Sequence, residues 1–321
     1  MRTKRYLAGA TAAIIAIAAA AGCAGQIKKL EPKLELRDAA QHLADAGRAG
    51  FTLRLTGNAD DLIAAYAPDD ATAGDKAMMR TLFHSSVTIA YDKAGAGTDD
   101  DRAALAATVD GVAGTEIRVV GKTLYAKAPV AGLAAKFGAA GDVGDLRKEA
   151  ASETPGLEAL FDGKWIAIDL QDAANTAGLP SPGTDPEKTL AEVRKSAQSL
   201  AGGATVVRDG ADPGHLIVTS STTKAYAEVK RLVTALAPAG GGGIADELGD
   251  APKDRPIVLD LWVKDGDLTA AELNLLQFAD GATGRAALRL EVTTGAPISA
   301  PPGATKVTPP AAVADDKPRH A

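Results

Sequence analysis

Strict alternation of apolar and polar side chains constrains this chain more than any other feature. Phe51-Thr52-Leu53-Arg54-Leu55-Thr56 alternates without a fault. Val87, Ile89 and Tyr91 share one side of residues 86–91, Ile117 and Val119 one side of 115–120, Ile257, Leu259, Leu261 and Val263 one side of 256–264, and Leu288, Leu290 and Val292 one side of 285–293. Successive side chains of a strand point to opposite faces, so each segment carries one apolar face and one polar face. Further strands are predicted at 105–109, 123–127, 163–169, 204–208, 215–219 and 268–278. Short connections make neighbours antiparallel: Gly111 to Gly114, Gly121-Lys122, and Asp265-Gly266, the strongest hairpin signal of the sequence. One curved antiparallel sheet follows, and helices must cover its apolar face.

The helices are legible from their 3.6-residue period. Leu36, Ala39/Ala40, Leu43 and Ala46 predict one over 36–49, and Tyr66 closes one or two turns begun at Asp60. Residues 186–200 form another, opened by Pro186 where a missing N–H costs nothing. Tyr226, Val229, Val233 and Leu236 stand in register over 222–236. The stretch 129–160 reads as helical and loopy, anchored by Leu133, Phe137, Leu146, Leu157 and Leu160. Residues 68–80 lack a sustained period and read as an insertion or long loop, and Gly240 to Gly243 as another loop. From Gly295 onward six prolines without periodicity predict a poorly ordered tail, 295–321. The domain organisation is thus a single body over 34–294, of class α+β.

The N-terminal segment is an export signal. Arg2, Lys4 and Arg5 precede the apolar run Leu7 to Ala21, which is too short and alanine-rich to span a bilayer comfortably. It ends at Ala20-Ala21-Gly22-Cys23, small residues leading into the chain's single cysteine, and this resembles a bacterial lipobox, with Ala20 where leucine is usual. The resemblance implies cleavage of residues 1–22, diacylglyceryl transfer to Cys23, and a tether over 23–33. Cleavage removes three cations and no anion, so the 35 Lys+Arg fall to 32 against 41 Asp+Glu, a net charge of −9. Such a chain is no candidate for nucleic-acid binding, and its hold on a membrane must come from acyl chains, about 0.8 kcal/mol per buried CH₂. Arg2 and Arg5 are not adjacent, so no twin-arginine signal is present, and export of an unfolded chain disfavours a preloaded cofactor.

Catalytic patterns are absent. Gly121-Lys122-Thr123 lacks the upstream glycine of a P-loop, holding Glu116 instead, and lies between strands. His42, His84, His215 and His320 show no metal-ligand spacing, and no G-x-S-x-G accompanies His84-Ser85-Ser86. Asp60-Asp61 and Asp99-Asp100-Asp101 read as solvated turns, without the spaced oxygens that calcium requires. No catalytic residue, metal site or cofactor is expected.

What fills the space under the sheet decides function. The inward side chains Leu53, Leu55, Val87, Ile89, Ile117, Val119, Leu259, Leu261, Leu288 and Leu290 are medium-sized aliphatics, and aromatic residues make up only 4% of the chain. They leave open either a cavity for an acyl chain, which these ten would line, or a solid core.

The order of lipobox, tether, helix, the 51–56 strand, the meander with Thr123-Leu124-Tyr125-Ala126-Lys127, Gly163-Lys164-Trp165, the hairpin Leu261 to Asp267, and Gly295-Ala296-Pro297-Ile298 before Pro301-Pro302 resembles the LppX/LprAFG family of actinobacterial lipoproteins and related LolA-like proteins. It covers roughly residues 34 to 305, and the 68–80 and 240–250 segments depart from the compact family pattern. The resemblance implies a half-barrel sheet with helices over its concave face, and an apolar cavity for lipid or acylated glycolipid. It implies a carrier or chaperone at the extracytoplasmic face of the cell membrane, an envelope exporter or acceptor as partner, and no catalysis. Uptake and release would then use a gate, for which Pro129 to Gly156 is the candidate. The alternative is a non-catalytic envelope interaction or sensing lipoprotein with a packed core.

Overall fold

The computed structural model describes residues 32–93, 101–171, 186–236, 251 and 253–308. The export signal, Cys23, Asp99-Asp100, the Gly240 to Asp250 loop and His320 lie outside these residues. In chain order the elements begin with α1 (Pro32–Asp45), β1 (Arg48–Gly57), α2 (Ala59–Tyr66), α3 (Ala73–Phe83), β2 (Ser86–Lys93), β3 (Asp101–Val109), β4 (Val112–Val120) and β5 (Thr123–Lys127). They continue with α4 (Val130–Lys136), α5 (Val143–Glu153), β6 (Ile166–Asp169), α6 (Pro186–Gly203), β7 (Thr205–Arg208), β8 (His215–Ser221) and α7 (Thr222–Leu236). The last are β9 (Pro256–Lys264), β10 (Asp267–Asn274), β11 (Ala286–Thr293) and β12 (Thr305–Lys306). The expected α+β class is what the structure shows. By its contacts the chain groups into two compact units, residues 1–86 with 184–295, and 87–183 with 296–321. Between Ser86 and Val87 the chain passes from one to the other inside a strand, so no linker composition marks the boundary.

The first unit orders its strands β1-β11-β10-β9-β8-β7, all antiparallel. Leu53 stands opposite Leu290, Leu55 opposite Leu288, Leu273 opposite Leu288, and Leu261 opposite both Ala271 and Leu216, so the alternation of five strands sums to one apolar face. Leu36 and Ala39 of α1, Leu62 and Tyr66 of α2, and Phe83 of α3 join the core. Helix α3 corrects the reading of 68–80 as a loop. Thr72 accepts from the Asp75 amide at 3.2 Å while the Asp75 carboxylate accepts from the Thr72 amide at 2.9 Å, a reciprocal cap typically worth about 1 kcal/mol. Met79 and Phe83, four residues apart, then seat the helix on the core. The β9–β10 turn is Asp265-Gly266, at φ 55° and 88°.

The second unit orders β12-β6-β5-β4-β3-β2, a meander with β12 added parallel to β6. The β3–β4 turn is the two-residue Asp110-Gly111, at φ 44° and 84°, and β4 begins at Val112, earlier than the Gly111 to Gly114 turn expected. Both residues take the left-handed conformation whose twist matches the flanking strands. Residues 296–308 differ from the poorly ordered tail expected of them. Asp92 accepts the Ile298 N–H at 3.1 Å, Arg102 donates to the Ile298 carbonyl at 2.8 Å, and Arg118 to the Ser299 carbonyl at 3.2 Å. Thr305 and Lys306 then pair with Ile166 and Ala167, and Val307 is buried against Ala159 and Ile166. Prolines forbid a helix here, yet a strap fixed by side chains and one short strand needs none.

Candidate functional site

The faces of the second unit are unequal. Arg102 of β3 and Arg118 of β4 reach the strap on one face of the meander, and Asp92 of β2 meets it on the same side. That face also carries Trp165, with the Arg118 guanidinium 4.7 Å from its ring. By alternation Val87 and Ile89 point the other way, as do Leu105, Ile117, Val119 and Leu124, which the register sets side by side. This second face is apolar and only partly covered. Ile89 is 52% exposed and Ile117 37%, whereas Val87 and Val119 are half-buried.

The elements that follow the meander do not close it. The short 3₁₀ turn Leu157–Leu160 packs Ala159 on Ile166 and Val307, covering the β6 margin with help from Ala126 and Ile168. Neither α4 nor α5 buries a side chain, and Phe137, which follows α4, and Leu146 of α5 are each 48% exposed. Gly138, between the two helices, takes φ 75°, and Gly156, after them, φ 95°. A Cβ at Gly156 would lie 2.9 Å from the Lys306 carbonyl oxygen, so the far end of this excursion is pinned against β12. An Arg147–Asp162 ion pair at 2.8 Å also holds α5.

The remaining six of the ten candidate lining residues lie in the first unit, in different surroundings. Leu259, Leu261, Leu288 and Leu290 are buried, Leu261 completely, and Leu53 and Leu55 pack half-buried against the same core. An apolar pocket there, between Leu36, Leu200, Ala204, Val218, Leu259 and Leu273, has a cavity volume of about 40 Å³. A single water needs about 10–15 Å³ of such space, so this pocket is the size of a few waters and far below the several hundred Å³ of a ligand cavity. Leu259 alone of the ten lines it. Of the ten, six thus belong to the core of the first unit, and Val87, Ile89, Ile117 and Val119 to the open face of the second. Alternation reports which side chains share a face and is silent on whether that face is covered.

The polar clusters weighed in the sequence have structural partners. Asp60 pairs with Arg80 at 2.8 Å, and Asp61 accepts the Arg285 amide at 3.0 Å. The Ser85 hydroxyl donates to the Thr81 carbonyl at 2.6 Å, while His84 caps α3 and meets the Phe83 ring edge-on. Gly121 takes φ 59° in the turn between β4 and β5. Among the described residues no group of His, Cys, Asp and Glu is placed to hold a metal, and no helix is long and apolar enough to cross a membrane. Sequence reasoning missed a polar ladder on the face of the first unit opposite its core, where His215, Asp260, Trp262, Glu272, Arg289 and Arg54 lie together. Arg289 lies 4.7 Å from the Trp262 ring and pairs with the buried Glu272 at 3.1 Å, and Arg54 pairs with Glu291 at 2.7 Å. The same alternation that located the core contains this ladder, read on the opposite parity.

No known family profile matches the chain, and no curated protein matches it. Among solved structures, the lipoprotein LppX of Mycobacterium tuberculosis is similar over 85% of this chain and 99% of its own, at 13% identity and a TM-score of 0.33.

Proposed function

We propose that this chain is a membrane-anchored extracytoplasmic lipoprotein that binds the acyl portion of a lipid or glycolipid on the open apolar face of its second unit, as a carrier or chaperone and without catalysis. The observation that carries the reading is the partial exposure of Ile89 and Ile117 on a sheet face that α4 and α5 leave uncovered. Apolar surface that is contiguous across neighbouring strands is the kind that takes an apolar guest. The driving force is partition: about ten methylenes removed from water contribute roughly 8 kcal/mol. The excursion Pro129 to Gly156 is the gate, since its helices have apolar side chains to offer a guest and none already committed to the core. Acylated Cys23 supplies the anchor, and an envelope exporter or acceptor the partner.

A second reading rests on the first unit, whose closed core and 40 Å³ pocket suit a non-catalytic interaction or sensing protein. One experiment separates the two. The mature chain with Cys23→Ser is expressed in an actinobacterial host, purified without detergent, weighed by native mass spectrometry and extracted with solvent. A stoichiometric lipid of several hundred daltons is the expected result, and an apo mass from well-folded protein transfers the argument to the interaction reading. In the same host the unsubstituted protein sediments with membranes and the Cys23→Ser chain does not.

A further inference from the structure

The first unit ends at the hairpin of β7 and β8, and one histidine fastens that hairpin to the rest. His215 opens β8. Its Nδ1 lies 2.9 Å from Asp209 Oδ2 in the β7–β8 loop, and its Nε2 lies 2.9 Å from Asp260 Oδ1 on β9. The ring stacks on its cross-strand neighbour Trp262, centroids 4.8 Å apart and planes 10° off parallel, and the side chain is 14% exposed. Position and plane of the imidazole are therefore fixed on three sides.

Proton counting gives this geometry its meaning. An ionised carboxylate only accepts, and a neutral imidazole has one N–H, so it donates to one of the two aspartates and presents a lone pair to the other. Both contacts are hydrogen bonds only when the ring is an imidazolium. The other charged groups of the neighbourhood do not replace it. Arg208 of β7 is engaged with Glu35 of α1 on the opposite face, and Arg289 of β11, beyond Trp262, is engaged with Glu272 and Glu291. Asp212 in the same loop accepts the Gly214 amide, and Lys264 at the end of β9 is exposed.

We infer that His215 is a proton-operated latch: doubly protonated, it ties the loop 209–214 to β9, and on losing a proton it releases one of the two aspartates. The loop is otherwise held by its own turns, Ala211 N–H to Asp209, Gly214 N–H to Asp212 and the His215 N–H to the Asp212 carbonyl, by the Asp209 N–H to the His215 carbonyl, by Arg208 donating to the Pro213 carbonyl, and by the Val263 N–H to the Gly214 carbonyl. Burial works against the charge on His215, but the hydrogen bonds and charges of Asp209 and Asp260 outweigh it and raise its pKa above the ordinary imidazole value. With the folded-state pKa raised, the latch contributes fully below about pH 6.5, the unfolded value, and its contribution is lost as pH rises through the folded-state value. A rising pH thus loosens the sheet edge at β7.

The test is ¹⁵N NMR of the imidazole nitrogens of the mature chain between pH 5 and 9, with His215→Gln assigning the signal among four histidines. Both His215 nitrogens protonated at pH 6.5, with a midpoint above that of a free imidazole, is the expected result. Asp209→Asn and Asp260→Asn should each weaken proton affinity about 3- to 10-fold. Amide exchange over 210–214 should accelerate across the same midpoint beyond its intrinsic rise, and not in His215→Gln. A single protonated nitrogen at pH 6.5, or a midpoint indifferent to both Asn substitutions, overturns the latch. Should either Asn variant fail to fold, the nitrogen shifts of the unsubstituted chain decide alone.

Discussion

The double substitution Ile89→Ser/Ile117→Ser separates binding from folding. Fully burying an isoleucine contributes about 1.5–3 kcal/mol. Ile89 keeps 52% of its surface and Ile117 37% in contact with water, so a guest that covers both gains about half and about a third of that amount, ~2 kcal/mol together. Losing it weakens binding about 30-fold. The shielded portions of the two side chains are already part of the fold, so the same change costs about 2–3 kcal/mol of stability, which a domain of ordinary stability survives. Leu261→Ala is the control: it empties a fully buried site in the core of the first unit at about 2–5 kcal/mol. Titration with a fluorescent fatty acid, each variant held well below its own Tm, gives the dissociation constants. The reasoning fails if the folded double variant binds within twofold of the unsubstituted protein, or if Leu261→Ala weakens binding as much.

Two further predictions concern the first unit. Gly57 sits at φ 96° with the position of a Cβ only 2.2 Å from the Arg285 carbonyl oxygen, whereas Gly111 at φ 84° in the second unit faces open space. Gly57→Ala should therefore cost about 2–3 kcal/mol in a urea titration and Gly111→Ala about 1 kcal/mol, and equal costs would contradict the backbone argument. The buried Tyr66 hydroxyl donates to the Leu275 carbonyl at 2.5 Å, and burial pushes its pKa up from 10.0 to about 12, with Arg255 opposing. The neutral phenol's contribution is complete below pH 10 and is lost as pH rises towards 12. Tyr66→Phe should cost about 1–2 kcal/mol at neutral pH and show a flatter decline of Tm between pH 10 and 12, a difference that a parallel decline in both proteins would refute.

Local pattern made most of the architecture legible, and two kinds of information escaped it. The bounds of α7 and β9 follow from periodicity, and Asp265-Gly266 names its turn type because both residues must adopt positive φ. Asp110-Gly111 carries the same signal and was obscured by the Gly114 that follows. Helix α3 was hidden by Gly74, Asp75 and the Asp69-Asp70 pair before it, although Thr72 and Asp75 spell a reciprocal cap and Met79 and Phe83 a helical spacing. The strap escaped for a different reason. It is held by Asp92, Arg102 and Arg118, side chains about two hundred residues away in sequence, and no local period encodes such a contact. The candidate site was half legible. Which residues share an apolar face follows from parity, while coverage depends on how α4 and α5 pack, a tertiary outcome.

The pairing of β12 with β6 also sets an order of events. A polypeptide threaded N-terminus first presents β2 to β6 early, then the remainder of the first unit, and only afterwards Thr305 and Lys306. The second unit cannot complete its edge until the first has wholly emerged, because its last strand is encoded beyond the other unit's last strand. Contacts closed over so long a loop form late and slowly. Nascent chains stalled near Gly295 would thus hold every strand of one unit while the other waits, its meander made and its fastening still to come.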